Sequence, residues 1–248
     1  MATTKIPECF RVPAADEVHV WMAWVSESTA AIPVLAELLS SVEKQVAERF
    51  LRVADRERYV VAHGILRQLL GRYVGVEPAE LVFEAGKFGK PALVLGAELP
   101  PVSFNMAHSG DVILYAVAGG RRVGIDVEAV RMDRDLMELA ESQFARDEIE
   151  ALRALEPIER AAAFYRCWTL KEAYVKARGE GLGFSLKEFS VTFGNREEPG
   201  VRWVSDDPQV AERWSVFGLS PAPGYAAALV VEGRPMRMLK RLWRELAV

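Results

Sequence analysis

The chain has 248 residues, half of them hydrophobic and 27% charged, with a net charge of -4. That size and balance fit one large or two small globular domains with a true core, and exclude a disordered chain. A negative net charge argues against a general nucleic-acid binder, and no apolar run nears the roughly 18 residues of a membrane span.

The predicted elements run in order as follows. VHVWMAWV (18–25) reads as a strand of aromatic and β-branched residues. Residues 41–75 read as helix with one break, capped by Ser41, with Gly71 and Gly75 as stops. LVFEAGKFGKPAL (81–93) reads as strand, glycine-rich turn and strand. VSFNMAHSG (102–110) predicts a strand that ends at Phe104-Asn105, then a small polar turn carrying His108 and Ser109. VILYAVAGG (112–120) reads as a buried strand, and RRVGIDVE (121–128) as the next.

Helical patterns follow at 133–142, 146–155 and 158–178, the last stopped by Gly179. Strands are predicted near 188–194, 201–205, 212–219 and 225–231. A similar order of elements on each side of Gly119-Gly120 hints at a duplication, with lobes at 1–120 and 121–248. No long linker separates them, so the lobes should pack closely. The N-terminus lacks the apolar stretch of a signal peptide. The two cysteines, Cys9 and Cys167, lie too far apart for a disulfide framework or a zinc spacing. Together these predict a cytoplasmic protein with reduced thiols.

Several short stretches carry charge where chemistry would need it. On a strand, Asp126 and Glu128 point the same way about 7 Å apart, while Ile125 and Val127 point to the core. Two such carboxylates suit one Mg²⁺, although a wet-faced amphipathic strand has the same pattern. In YRCWTLKEAYVKARGEGLGFSL (165–186), Glu172 and Lys176 are i,i+4 on one helix face, with Lys171 to the side. They read as a surface ion pair, or as functional charges on a helix buried by Trp168 and Tyr174. His108 beside Ser109 can bind phosphate or simply stabilise a turn. FGKPAL (88–93) offers Gly89 for close backbone approach and Lys90 for charge, or a plain turn. Arg58 belongs to a cluster with Arg49, Arg52 and Arg56, interleaved with Glu48, Asp55 and Glu57. His19 and His63 fall in a strand and a helix and are assigned no role.

In this order, GKP, FNMAHSG, GIDVE, Phe144-x-x-x-Glu148 and W-x-x-K-E-A-x-x-K-x-x-G-x-G-L (168–182) resemble the Sfp-type 4′-phosphopantetheinyl transferases. The motifs span about 89–182. The resemblance implies an α+β fold of two similar lobes related by a pseudo-two-fold axis. Each lobe would be a small antiparallel sheet packed with helices, and coenzyme A would lie between them. It implies transfer of the phosphopantetheine arm of coenzyme A to a serine of an apo carrier protein, acyl, peptidyl or polyketide. The other product would be adenosine 3′,5′-bisphosphate.

Residue by residue, the resemblance makes Asp126, Glu128 and Glu172 ligands of Mg²⁺, with Mn²⁺ also acceptable. It makes Asp126, Glu172 and Lys176 the catalytic set: Lys176 contacts the pyrophosphate, and Glu172 or a metal-bound water takes the serine proton. Arg58 and His108 would hold the 3′-phosphate, Lys90 the nucleotide, and Lys171 would add a nearby positive charge. One departure is Ala107, where the family commonly has Ser. The carrier would dock on the second lobe, on Met132, Leu136 and Met137 with Arg131 and Arg134, unless those apolar residues are core. A monomer is expected, with neither nucleic acid nor membrane as partner.

Three rival readings are weaker. A Mg²⁺-dependent nuclease or phosphohydrolase often has E-x-K after the second acid, but here Ala129 and Val130 follow Glu128. A non-catalytic coenzyme A or carrier-binding module would show a decayed site, yet every expected acid and Lys176 are present. A single-lobe holo-acyl-carrier-protein synthase would be far shorter.

Overall fold

The structure is a computed structural model that describes residues 10–86, 88–96, 98–132, 135–194, 197–205, 213–233 and 237–246. The first half contains β1 (Glu17–Trp24), α1 (Ile32–Glu37), α2 (Ser41–Glu48), α3 (Val53–Val74), β2 (Phe83–Ala85), β3 (Pro91–Leu93), β4 (Val102–Ser109) and β5 (Val112–Gly119). The second contains β6 (Val123–Ala129), α4 (Leu136–Gln143), α5 (Arg146–Arg153) and α6 (Pro157–Arg178). It continues through β7 (Phe189–Thr192), β8 (Gly200–Val204), β9 (Trp214–Leu219), β10 (Tyr225–Glu232) and β11 (Arg237–Leu242).

Alternation along the strands builds a four-layer α+β fold. One sheet has the order β11-β1-β5-β4 and the other β6-β10-β9. One face of the first sheet, with Trp21, Ile113, Tyr115 and Val117, packs on α3. Its other face, with Val18, Val20, Leu114 and Ala116, meets Ile125, Val127, Leu229 and Val231 of the second sheet. The far face of the second sheet, with Ala228 and Val230, packs on α6. Each sheet therefore carries one 22-residue helix on its outside. Both helices end at a glycine in the left-handed region, Gly75 at φ 71° and Gly179 at φ 75°. A residue with a Cβ pays a steric cost there that glycine does not.

Three local expectations change. The helix-start residue is Ser40, whose hydroxyl accepts from the Glu43 N–H while the Glu43 carboxylate accepts from the Ser40 N–H. Gly71 does not stop α3; a Cβ there would lie 2.6 Å from the Val76 carbonyl, so it lets the chain fold back beneath the helix. The strand predicted to end at Asn105 continues to Ser109, with His108 paired to Ile113 and Ser109 to Val112. His108 and Ser109 thus stand on a strand end rather than in the turn.

The largest difference concerns the chain's last strand. β11 pairs in parallel with β1, from Glu17↔Arg237 to Met22↔Leu242. Trp243 is buried in the first lobe's core and donates to Gln68 at 2.6 Å. The expected division, with 121–248 as one lobe, therefore fails at its end: the second lobe returns its final segment to the first. RMLKRLWR (237–244) hides this strand because four cations mask its apolar alternation.

Gly124 sets the spacing of the second lobe. A Cβ at this position would lie 2.1 Å from the Ala173 carbonyl and 2.4 Å from the Ala177 amide. Helix α6 rests there on bare strand. Gly124→Ala is expected to destabilise the protein by about 2 kcal/mol or more through overpacking. Urea unfolding midpoints measure this, and an unchanged midpoint would refute the close approach.

Candidate active site

Alternation on β6 chooses which residues face α6. Ile125 and Val127 enter the core between the sheets. Gly124, Asp126 and Glu128 take the opposite face. With α6 held close at Gly124, Asp126 sits one pleat further along, within reach of the helix. The Lys176 amine donates to Asp126 Oδ1 at 2.6 Å and reaches the Ile125 carbonyl at 3.5 Å. Asp126 is buried, and its Oδ2 has no hydrogen-bond partner among the described residues.

Burial raises the Asp126 carboxyl to about 7; Lys176 pulls it down, while Glu128 and Glu172 push it up. Glu172, one helical turn before Lys176, is also raised, first by burial and then by Glu128, against the pull of Lys176. Glu128 is oriented by Ser109, whose hydroxyl donates to Oε2 at 2.8 Å and accepts from the Ala129 N–H at 3.0 Å. The carboxylates of Glu128 and Glu172 thus act on Asp126, and Glu128 on Glu172, as like charges in a place short of positive charge.

A cleft of about 760 Å³ opens beside this set. The β2–β3 hairpin contributes Phe88 and Lys90, α4 contributes Gln143, and α6 contributes Trp168, Glu172 and Lys176. Lys90 crosses between the lobes, donating to the Val123 carbonyl at 2.7 Å and the Lys176 carbonyl at 2.8 Å. The second is in the last turn of α6, where carbonyls lack helical partners. Burial, with Arg122 and Lys176 nearby, lowers the Lys90 amine to about 8. Two of its three protons are thus engaged with protein carbonyls rather than free for a ligand.

At the end of β4, Arg58 donates to the Gly110 carbonyl at 3.0 Å and to Asp55 at 2.9 Å. His108 reaches solvent, yet desolvation by its surroundings and the charges of Arg58, His63 and Lys176 lower its pKa. Arg58 supplies positive charge at this end and His108 a neutral imidazole, a pair suited to an anion. Asn105, which sequence reasoning treated as a strand end, lines the cleft and accepts from the Ile125 N–H at 2.8 Å. It ties β4 to the strand carrying the acids.

Two sequence profiles match the chain in succession: "4′-phosphopantetheinyl transferase, N-terminal" over residues 21–119, and "4′-phosphopantetheinyl transferase superfamily" over 122–230. The 4′-phosphopantetheinyl transferase HetI of Nostoc sp. is 36% identical over 219 residues, covering 88% of this chain and 89% of its own. The chain belongs to the 4′-phosphopantetheinyl transferase family. The 4′-phosphopantetheinyl transferase Sfp of Bacillus subtilis is 28% identical over 62% of this chain and 66% of its own. A crystal structure of Thermotoga maritima holo-[acyl-carrier-protein] synthase aligns at 27% identity with a TM-score of 0.36, over 45% of this chain and 62% of that one.

In this transferase the predicted residues separate into groups. Asp126, Glu172 and Lys176 come together, with Glu128 and Lys90 beside them and Arg58 and His108 at the β4 end. Lys171 does not join them. Its amine is fully buried and donates to both oxygens of Glu148, at 2.7 and 2.6 Å, and to the Phe189 carbonyl at 2.6 Å. Its three protons are all used, so the expected extra charge for the cofactor is withdrawn. Among the described residues no three of Asp, Glu, His or Cys stand at metal-ligand spacing. Lys176 holds the Asp126 oxygen that such a group would share.

The raised carboxyl has a pH signature. Asp126 ionises at about 7 in the fold, against roughly 4 in an unfolded chain. The fold therefore keeps a proton that the unfolded chain releases, and stability falls as pH rises from about 4 to about 7. His19, lowered to about 4 by burial, acts in the opposite direction, so the test compares wild type with Asp126→Asn. In EDTA, melting curves from pH 4 to 8 should show wild type losing ground to the Asn variant as pH rises. A constant difference would contradict the raised carboxyl.

Proposed function

We propose that this transferase moves the 4′-phosphopantetheine arm of coenzyme A onto a serine hydroxyl of an apo carrier protein. The serine oxygen forms a bond to the phosphorus bearing the pantetheine arm. The bond from that phosphorus to the bridging oxygen breaks, and adenosine 3′,5′-bisphosphate leaves. The observation that carries this reading is the unpartnered Oδ2 of buried Asp126, set beside Glu128 and beside Glu172 and Lys176, which line the cleft.

The chemistry of the donors suits a small hard cation, although the three acids do not stand at metal-ligand spacing while Lys176 holds Asp126. Three carboxylates that repel one another, one with a free buried oxygen, suit Mg²⁺ or Mn²⁺. Asp126, Glu128 and Glu172 would hold it, and when bound it neutralises charge on the pyrophosphate. The chain's own residues do the rest. Lys176 supplies an ammonium for the leaving phosphate. Glu172, with a raised pKa, suits acceptance of the serine proton. Arg58 and His108 offer a guanidinium and an imidazole to the 3′-phosphate. Gly89, at φ 83°, shapes the turn that brings backbone and Lys90 to the nucleotide.

All of these groups lie in one chain, which supports a monomer; the carrier would be one of fatty-acid, polyketide or peptide synthesis. No helix among the described residues is long and apolar enough to cross a membrane. For carrier docking beside α4, Leu136 is buried and Met137 packs against the core, which leaves exposed Met132 and Arg131. Arg134 lies outside the described residues.

Intact-mass spectrometry of an apo carrier with coenzyme A and Mg²⁺ should show a gain of one phosphopantetheine. Asp126→Ala, Glu172→Gln and EDTA should each reduce the rate by roughly a hundredfold or more. No mass gain on any of the three carrier classes would end the proposal. Arg131→Glu should raise the carrier KM by several fold with kcat held, and an unmoved KM would remove this docking face.

A further inference from the structure

Whatever fixes the rotation and axial position of α6 also aims Glu172 and Lys176. Its contact with β6 is poorly suited to that task. Gly124 meets Ala173 and Ala177, a smooth meeting of small residues that permits close approach. At Gly124 no side chain interlocks to stop the helix turning or sliding, and the Lys176–Asp126 pair that also joins α6 to β6 belongs to the reacting end itself.

A directional contact lies beside it. Lys171, next to Glu172 in sequence, is 0% exposed and makes the three short bonds to Glu148 and Phe189 described above. Glu148 is equally buried, and its carboxylate also accepts from the Ala145 N–H at 2.9 Å and the Val191 N–H at 2.8 Å. One carboxylate thus joins the start of α5, the middle of α6 and strand β7. The rings of Phe189 and Phe144 lie 4.1 and 5.7 Å from the amine, on its remaining sides.

Stability is a weak reason for such a pair. Replacing a buried ion pair with well-packed apolar residues is often neutral or stabilising. A set of five directional bonds instead permits one arrangement of the three elements. We propose that Glu148 and Lys171 are positioning residues for the transfer reaction, holding α6 so that Glu172 and Lys176 face the cleft. The inference rests on the proposed function only in taking those two residues as the reacting end.

The test uses the full chain with the paired substitution Glu148→Leu/Lys171→Met, and separately Glu148→Gln. Thermal unfolding, kcat, the coenzyme A KM and hydrogen exchange of the α6 amides are measured. The double variant should melt below wild type, because the Ala145 and Val191 N–H groups and the Phe189 carbonyl lose their partners, so kcat is taken per folded protein. Its kcat should fall at least ~10-fold, because small misplacements of reacting groups are costly. The coenzyme A KM should move less than about threefold, because Arg58, His108 and Lys90 belong to the other lobe. Glu148→Gln, which keeps one acceptor, should lie between.

A double variant with wild-type melting and wild-type kcat overturns the proposal. So does a kcat loss no larger than the loss of folded protein. If the double variant does not fold, Glu148→Gln decides by the same criteria. If wild type itself modifies no carrier, the functional reading fails separately, and exchange then judges the positioning role: faster exchange in α6 supports it, and unchanged exchange overturns it.

Discussion

Helix α6 lies on β6 with no side chain between them at Gly124, and the chemistry of the second lobe depends on that contact. A helix standing off by an ordinary side-chain layer would leave Asp126 facing an apolar gap. Held at backbone contact, α6 brings Lys176 within 2.6 Å of Asp126 and Glu172 close enough to raise its pKa. The G-I-D-V-E stretch therefore does three jobs through alternation alone. Glycine admits the helix, the two branched residues fill the inter-sheet core, and the two acids are left on the face turned toward α6.

The cost of this geometry is a concentration of like charge in a poorly solvated place. Burial pushes Asp126 and Glu172 toward their neutral forms. Lys176 offsets part of that, and Ser109 fixes Glu128 from the neighbouring strand. The first lobe contributes through Asn105 and Lys90, both bonded to backbone groups of the second. The site belongs to the junction of the lobes, and neither sheet completes it alone.

Most of this was legible in the sequence because strand alternation and helix spacing are local rules. Strand alternation paired Asp126 with Glu128 and helix spacing paired Glu172 with Lys176, but the resemblance to the family was what joined the two pairs. The long helices, their glycine ends and the strand carrying the acids were legible for the same reason. Lys171 was misjudged because its partner, Glu148, is 23 residues away on another helix, and an i,i+1 neighbour of Glu172 carries no sign of which way it turns. Asn105 was missed because a polar residue in a strand pattern reads as an ending. Here the inter-strand bond to Ile125 makes it a bridge.

The parallel pairing of β11 with β1 couples the beginning of the described fold to its end. During vectorial synthesis the first lobe emerges early, but its sheet lacks an edge until residues 237–242 arrive. For that interval the outer backbone of β1 has no strand beside it, a template for pairing with other chains. The contact spans more than 200 positions of sequence, so it is slow to form by chance and adds little until most of the fold exists. The lobes therefore mature together: the half that binds no acids at its centre is finished by the last strand of the half that does.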